Sequence, residues 1–273
     1  MSLLDDFTAL CSAVTPLAQG GQKVVLSANH PEWGDVVVKH GDYRYGTSLE
    51  RITREVGLLR EIQSPYYPKQ YEFLVEPAAR QFLIVEERLA AKELGSKCDQ
   101  FGDDQSIINL LASLVVALEV LWDQNVVHRD LKPANILITE ENEPRIIDLG
   151  IARFLDENSL TANAAAAGPA THMYAAPEQL LNKKSSINPR TDFFLLGILV
   201  FELSAGFHPF DPVHVGNQKT LPENIVSGSY AALPSDGDGR ISGFIERALK
   251  PQPYQRFRNS AAIREYLGME AQS

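Results

Sequence analysis

The sequence predicts an α+β chain of two unlike lobes: a small antiparallel β-sheet lobe with one main helix, then a larger, mainly α-helical lobe. Three observations predict it. Short runs of β-branched and aromatic residues separated by turn signals crowd into residues 17–87. Among those strands, residues 48–62 set Leu49, Ile52, Val56, Leu59 and Ile62 on one helical face. From Ala91 onward the apolar spacing is mostly helical, led by the long segment 107–122. The boundaries read as an N-terminal extension over residues 1–14, a small lobe over 15–87 and a large lobe over 88–273, one domain overall.

Taken in order, residues 1–14 predict a short helix, with Asp5 and Asp6 near its start and Leu3, Leu4, Phe7, Leu10 and Val14 as its apolar set. Residues 17–28 read as two strands around the Gly20-Gly21 pair, a hairpin. A turn over 29–34 leads into a strand of three valines that ends at Lys39 and His40. Residues 71–75 and 81–87 are strands around Pro77-Ala78-Ala79-Arg80 and complete a five-stranded antiparallel sheet. Asp103 and Asp104 open the long helix, where acidic residues suit the helix dipole. Residues 136–139 and 145–147 are short strands, residues 191–197 open the most apolar helix, and residues 206–240 are loop with short helices.

Composition excludes several functions. A net charge of -10 and a pI near 5.1 argue against a broad nucleic-acid or anionic-membrane surface, since both need a basic face. The two cysteines, Cys11 and Cys98, lie far apart without a C-x-x-C pair, so neither a zinc site nor a disulfide framework is expected, and a reducing cytoplasm is. No apolar run approaches the roughly 18 residues of a membrane span; the longest candidate, 193–203, is broken by Gly197 and Glu202. Residues 1–12 carry acidic and no basic side chains, unlike a signal or transit peptide. The expectation is therefore no nucleic-acid partner and no membrane insertion by this chain.

The chemistry concentrates in His128-Arg129-Asp130-Leu131-Lys132-Pro133-Ala134-Asn135. The Asp130 carboxylate can accept a proton from an attacking hydroxyl. The Lys132 ammonium can screen charge developing on a phosphate oxygen, and the Asn135 amide oxygen can ligate a hard cation such as Mg2+. The trio fits phosphoryl transfer.

These residues match H-R-D-L-x-x-x-N, and over roughly residues 15–267 the sequence resembles the Hanks-type serine/threonine protein kinases, its compact lobes resembling the bacterial members. The resemblance implies the bilobal protein kinase-like fold and assigns further roles. Lys39, ending a strand like V-A-I-K, would contact ATP phosphates and pair with Glu55 of the small-lobe helix. Gly20, Gly21, Lys23 and Val25 occupy the place of the glycine-rich loop over ATP. Aligned on Gly20 and Val25, only the middle glycine of G-x-G-x-x-G-x-V survives, with Ala18 and Lys23 at the other two; Lys23 either reaches a phosphate or is solvated. Residues 86–90 would form the hinge against adenine. Asp148-Leu149-Gly150 resembles D-F-G, with Leu149 keeping the apolar plug and Asp148 joining Asn135 as ligand to Mg2+, or alternatively Mn2+.

Ala176-Pro177-Glu178 resembles A-P-E, and Arg256 the late arginine that pairs with Glu178. Thr171 stands where serine/threonine kinases place a threonine that bonds the catalytic aspartate and lysine. Arg129, beside the scaffold residue His128, is the type of arginine that pairs with a phosphate on the activation segment, with Ser159 and Thr161 as candidate acceptors. Asp192 resembles the aspartate that caps the large-lobe helix and accepts N–H groups from the catalytic loop. The implied function is transfer of the γ-phosphate of Mg-ATP to serine or threonine hydroxyls of protein substrates, with autophosphorylation. A pseudokinase or ATP-binding scaffold is the alternative suggested by the degenerate glycine loop, and a small-molecule kinase of similar architecture is another.

Overall fold

A computed structural model describes residues 2–20, 23–43, 53, 56–57, 60–62, 64–148, 173–233 and 235–269. The chain divides into two compact units, one holding Met1–Ala90 and the other beginning at Ala91.

The first unit opens with α1 (Leu3–Thr8), held at its start by a reciprocal cap. The Asp5 backbone N–H donates to Ser2 Oγ at 3.2 Å, and the Ser2 N–H donates to Asp5 Oδ2 at 3.1 Å. The helix stops short of residue 14 because Ser12–Gly20 enters the sheet as β1, and Pro16 within it cannot continue a helix. β2 (Lys23–His30), β3 (Gly34–Asp42), β4 (Gln70–Glu76) and β5 (Gln81–Glu87) complete a five-stranded antiparallel sheet in the order β1-β2-β3-β5-β4. Pro16 therefore lies on an edge strand, where a missing N–H is tolerated.

Side chains alternate across this sheet, so each strand supplies two different faces. Val36, Val38, Leu83 and Val85 are fully buried on one face, together with Leu26, Ala28 and Phe7 of α1. Phe7 stacks on His30 at 5.5 Å between ring centroids, His30 on Trp33 at 4.1 Å, and Trp33 on Tyr71 at 5.4 Å. The N-terminal extension is thus part of the small core, and truncating Phe7 to alanine would cost about 3–5 kcal/mol. The opposite face carries Val37, Lys39, Ile84 and Glu86, and there Val56 packs on Phe82 and Ile84. Most of the expected helix over 48–62, Glu55 included, lies outside the described residues.

Residues 86 and 87 close β5, the strand that the sequence placed over 81–87, and the expected hinge segment 86–90 overlaps its end. The Glu87 N–H donates to the Lys69 carbonyl at 2.8 Å and the Arg88 N–H to the Asp35 carbonyl at 3.1 Å, so the end of β5 is held from both sides.

The second unit begins with β6 (Lys92–Glu93) and α2 (Asp104–Trp122), whose N-cap Asp103 accepts the Ser106 N–H at 2.9 Å. β7 (Ile136–Ile138) pairs with β6 on one side and with β8 (Pro144–Ile146) on the other, in a small three-stranded antiparallel sheet. Then come α3 (Pro177–Leu180), α4 (Pro189–Ala205), α5 (Pro212–Val215), α6 (Leu221–Ser227), α7 (Arg240–Ala248) and α8 (Ser260–Leu267).

α4 is the centre of this unit, with every residue from 191 to 201 buried, as a helix apolar all round requires. Gly197 is there for space: a Cβ would sit 2.8 Å from Ala248 Cβ and 2.9 Å from Leu249 Cδ2, so only glycine lets the end of α7 approach. Among the described residues α2, and not 193–203, is long and apolar enough to cross a membrane by length and composition. A buried core helix meets the same criterion, and α2 packs on α4, α8 and β8.

Candidate active site

The loop after α2 is built around buried acceptors. Asp192 of α4 is fully buried and accepts three N–H groups: Trp122 Nε1 and the His128 backbone on Oδ2, both at 2.9 Å, and the Arg129 backbone on Oδ1 at 2.8 Å. This fixes the end of α2 and the first loop residues to one carboxylate. Asp192 does not cap α4, however: Asn188 does, through the Arg190 N–H at 3.0 Å, because Pro189 takes the first helical position and leaves Asp192 inside the first turn. Burial pushes the Asp192 carboxyl up and the His128 imidazole down. A neutral His128 is what its Nδ1 requires, since that atom accepts the Asp130 N–H at 3.3 Å.

Arg129 is held with φ at +67°, a conformation that a non-glycine residue adopts only where surrounding bonds compel it. The turn delivers the Asp130 carboxylate to two donors, Lys132 Nζ at 3.0 Å and Asn135 Nδ2 at 2.9 Å, both on Oδ2. Asn135 Nδ2 also donates to the Asp130 carbonyl at 2.8 Å. With its NH2 group so engaged, Asn135 has its oxygen left for a cation. The Ile147 N–H donates to the Asn135 carbonyl at 2.9 Å, tying the strand end before Asp148 to the loop; Asp148 itself sits at φ +56°. Among the described residues no three His, Cys, Asp or Glu side chains converge as a metal cage. An amide oxygen and a carboxylate, both hard donors, fit a divalent ion that takes its remaining ligands from phosphate and water.

Glu178 and Arg256 form a buried pair, the two side chains 2% and 0% exposed. Arg256 donates from both terminal nitrogens, each at 2.8 Å, to the two Glu178 oxygens. Thr191 Oγ1 adds a bond to Glu178 at 2.8 Å, and the carbonyls of Lys250, Arg190 and Pro251 take the other guanidinium protons. In the first unit, Val25 and Lys39 are cross-strand partners, and Lys39 Nζ lies 2.6 Å from Glu86 Oε2.

A family profile described as the protein kinase domain matches residues 14–267. The chain belongs to the protein kinase domain family. Serine/threonine-protein kinase Nek2 of Homo sapiens is 29% identical over 234 residues, 81% of this chain and 51% of that protein. Nek2 of Mus musculus is 28% identical over 269 residues, 93% of this chain and 58% of its own length. Serine/threonine-protein kinase PknB of Mycobacterium tuberculosis is 33% identical over 163 residues, covering 58% of this chain and 25% of that protein. The chain spans about half the length of the Nek2 relatives. Its small antiparallel sheet and helical remainder are those of the kinase fold.

Of the other expected site residues of this kinase domain, Gly21, Glu55, Leu149, Gly150, Ser159, Thr161 and Thr171 lie outside the described residues. Gly20 and Lys23 pair across the β1–β2 hairpin. The structure adds residues that the motifs do not name. Gln179 Nε2 donates to the Arg129 carbonyl at 3.0 Å and so braces the loop after α2 from α3. Trp122 and Thr191 serve the two buried carboxylates. No spacing rule marks any of the three. Each acts through a partner more than ten residues away, and only a polar residue at the edge of an apolar helix hints at Thr191.

A second polar cluster lies beside α4. Tyr174 Oη donates to both Glu202 oxygens, at 2.9 and 2.7 Å, and His208 Nε2 meets the Met173 carbonyl at 3.1 Å. Burial pushes Glu202 up to about 7 from 4.5, holds His208 down at about 4 from 6.5, and raises Tyr174. The signs oppose. Glu202 favours the fold while protonated, so its contribution is complete below about 4.5 and is lost as pH rises toward 7; His208 favours the fold while neutral and loses its contribution as pH falls from 6.5 toward 4. Glu202→Gln removes the first effect alone. Its stability relative to the unaltered chain should therefore improve by about 1–3 kcal/mol between pH 4.5 and pH 7. Denaturant unfolding at both pH values measures this, and a constant difference would contradict the assignment.

Proposed function

We propose that the chain transfers the γ-phosphate of ATP, accompanied by Mg2+, to serine or threonine hydroxyls of protein substrates, residues 15–87 acting as the small lobe and 88–273 as the large one. The observation that carries this is the Asp130 carboxylate, held by Lys132 and Asn135 in a loop anchored on buried Asp192. Bound Mg-ATP supplies the transferable phosphoryl group and the cationic charge that offsets its oxygens. Asp130 orients the acceptor hydroxyl and takes its proton, and Lys132 sets positive charge beside the transferring group.

Asn135, through its oxygen, and Asp148 hold the cation. Lys39 holds the nucleotide phosphates, with Glu55 as its helix partner and Gly20, Gly21, Lys23 and Val25 in the covering hairpin. Thr171 bonds Asp130 and Lys132 when a protein substrate docks, and Arg129 pairs with phosphate placed on Ser159 or Thr161. The serine/threonine class is supported by the names of the Nek2 and PknB relatives and by Lys132 in Leu-Lys-Pro. A cytoplasmic setting is supported by two unpaired cysteines. Incubation with labelled ATP and a generic protein substrate should show transfer that requires Mg2+ and stops on chelation. A folded chain that transfers no phosphate to itself or to substrate would overturn the reading.

A further inference from the structure

We propose that Glu86 is a positioning residue for Lys39: a carboxylate inside the sheet that holds the lysine ammonium where nucleotide phosphate meets it. The inference rests on the phosphate-binding role proposed for Lys39 and adds a residue that no kinase motif in the sequence names.

The register makes the pair. Lys39 on β3 stands opposite Ile84 on β5, and Val37 stands opposite Glu86. Glu86 is therefore the diagonal neighbour of Lys39 on the same face, within reach for long side chains. The Nζ–Oε2 separation is 2.6 Å, and the side chains are only 7% and 15% exposed. Both residues sit on interior strands: β3 is laddered to β2 and β5, and β5 to β3 and β4. Neither backbone can drift without breaking ladders on both sides.

An ammonium buried this deeply needs a fixed counter-charge, and a rigid strand supplies one whatever the neighbouring segments do. The pairing also leaves the lysine its function. An ammonium has three N–H donors, so a bond to Glu86 does not exhaust its capacity to meet phosphate oxygens. Glu86 need not be the sole partner of Lys39; its part is to keep the head from turning away along the sheet.

The test uses the full chain with Glu86→Gln, with Glu86→Met as an apolar variant suited to an interior strand, and with Glu86→Asp as the conservative change. The first readout needs no nucleotide: acylation of Lys39 by an amine-reactive reagent, followed by mass spectrometry. A lysine stripped of its carboxylate is the better nucleophile, so acylation of Lys39 should quicken about tenfold in the Gln and Met variants while the other lysines keep their rates. The second is equilibrium binding of a fluorescent ATP analogue with Mg2+, expected to weaken about tenfold, with the turnover rate at saturating ATP within about threefold and Glu86→Asp recovering part of the loss.

Unchanged acylation would overturn the proposal. So would unchanged or tighter nucleotide binding, the tighter case making Glu86 a competitor of phosphate. A chain that acylates as expected and yet transfers no phosphate would refute the kinase activity and leave the Lys39–Glu86 pairing standing.

Discussion

Asp130→Ala should lower phosphate transfer by roughly two to four orders of magnitude while leaving the folded chain intact, the range expected on losing a positioned general base together with its orienting role. The carboxylate is the acceptor on which Lys132 and Asn135 both converge, at 3.0 and 2.9 Å. Its removal takes away the proposed proton acceptor and releases the two side chains proposed to serve phosphate and cation. The fold asks less of it: Asp130 keeps a 20% exposed side chain, and the loop backbone is anchored separately by Asp192. Initial rates at saturating Mg-ATP, with a thermal melt of the same sample, give the result. A rate within about threefold of the unaltered chain would remove Asp130 from the chemistry.

Arg256→Ala should cost about 3–5 kcal/mol of stability, because it strands a carboxylate where water cannot reach it. Glu178 is 2% exposed, and after the substitution Thr191 would be its remaining partner. The guanidinium also covers the Phe194 ring at 4.8 Å and satisfies three carbonyls, so the loss reaches beyond one ion pair. Arg256→Lys should rescue little, since an ammonium cannot bond both carboxylate oxygens in a plane and reach those carbonyls as well. Chemical denaturation measures both variants. A loss below about 1 kcal/mol for the alanine change would mean that the pair is dispensable. The double change Glu178→Ala with Arg256→Ala should cost less than the two single losses together, because it leaves no charge unpaired.

Much of this was legible beforehand. The run of β-branched Val36, Val37 and Val38 marks a strand, and the structure buries the outer two on the face that packs against α1 while Val37 and Lys39 share the other face. The close spacing of Asp130, Lys132 and Asn135 made their contact a local matter, since five residues of loop cannot carry them far apart. Reading failed where a role depended on chain ends meeting from a distance. Residues 1–14 read as one short helix, yet pairing with β2 claims the last of them as strand and Phe7 anchors an aromatic stack. Asp192 read as a cap from its resemblance to the kinase aspartate, but Pro189 starts the helix earlier and Asn188 takes that place.

What the sequence alone determined is most of the described strands and helices and the local grouping of Asp130, Lys132 and Asn135, because β-branched runs, helical spacing and short-range motifs are properties of neighbours along the chain. What only the tertiary structure decided is which buried charge faces which. Lys39 meets Glu86 because β5 runs antiparallel beside β3 in one register, and a slip of a single residue would turn that carboxylate to the opposite face.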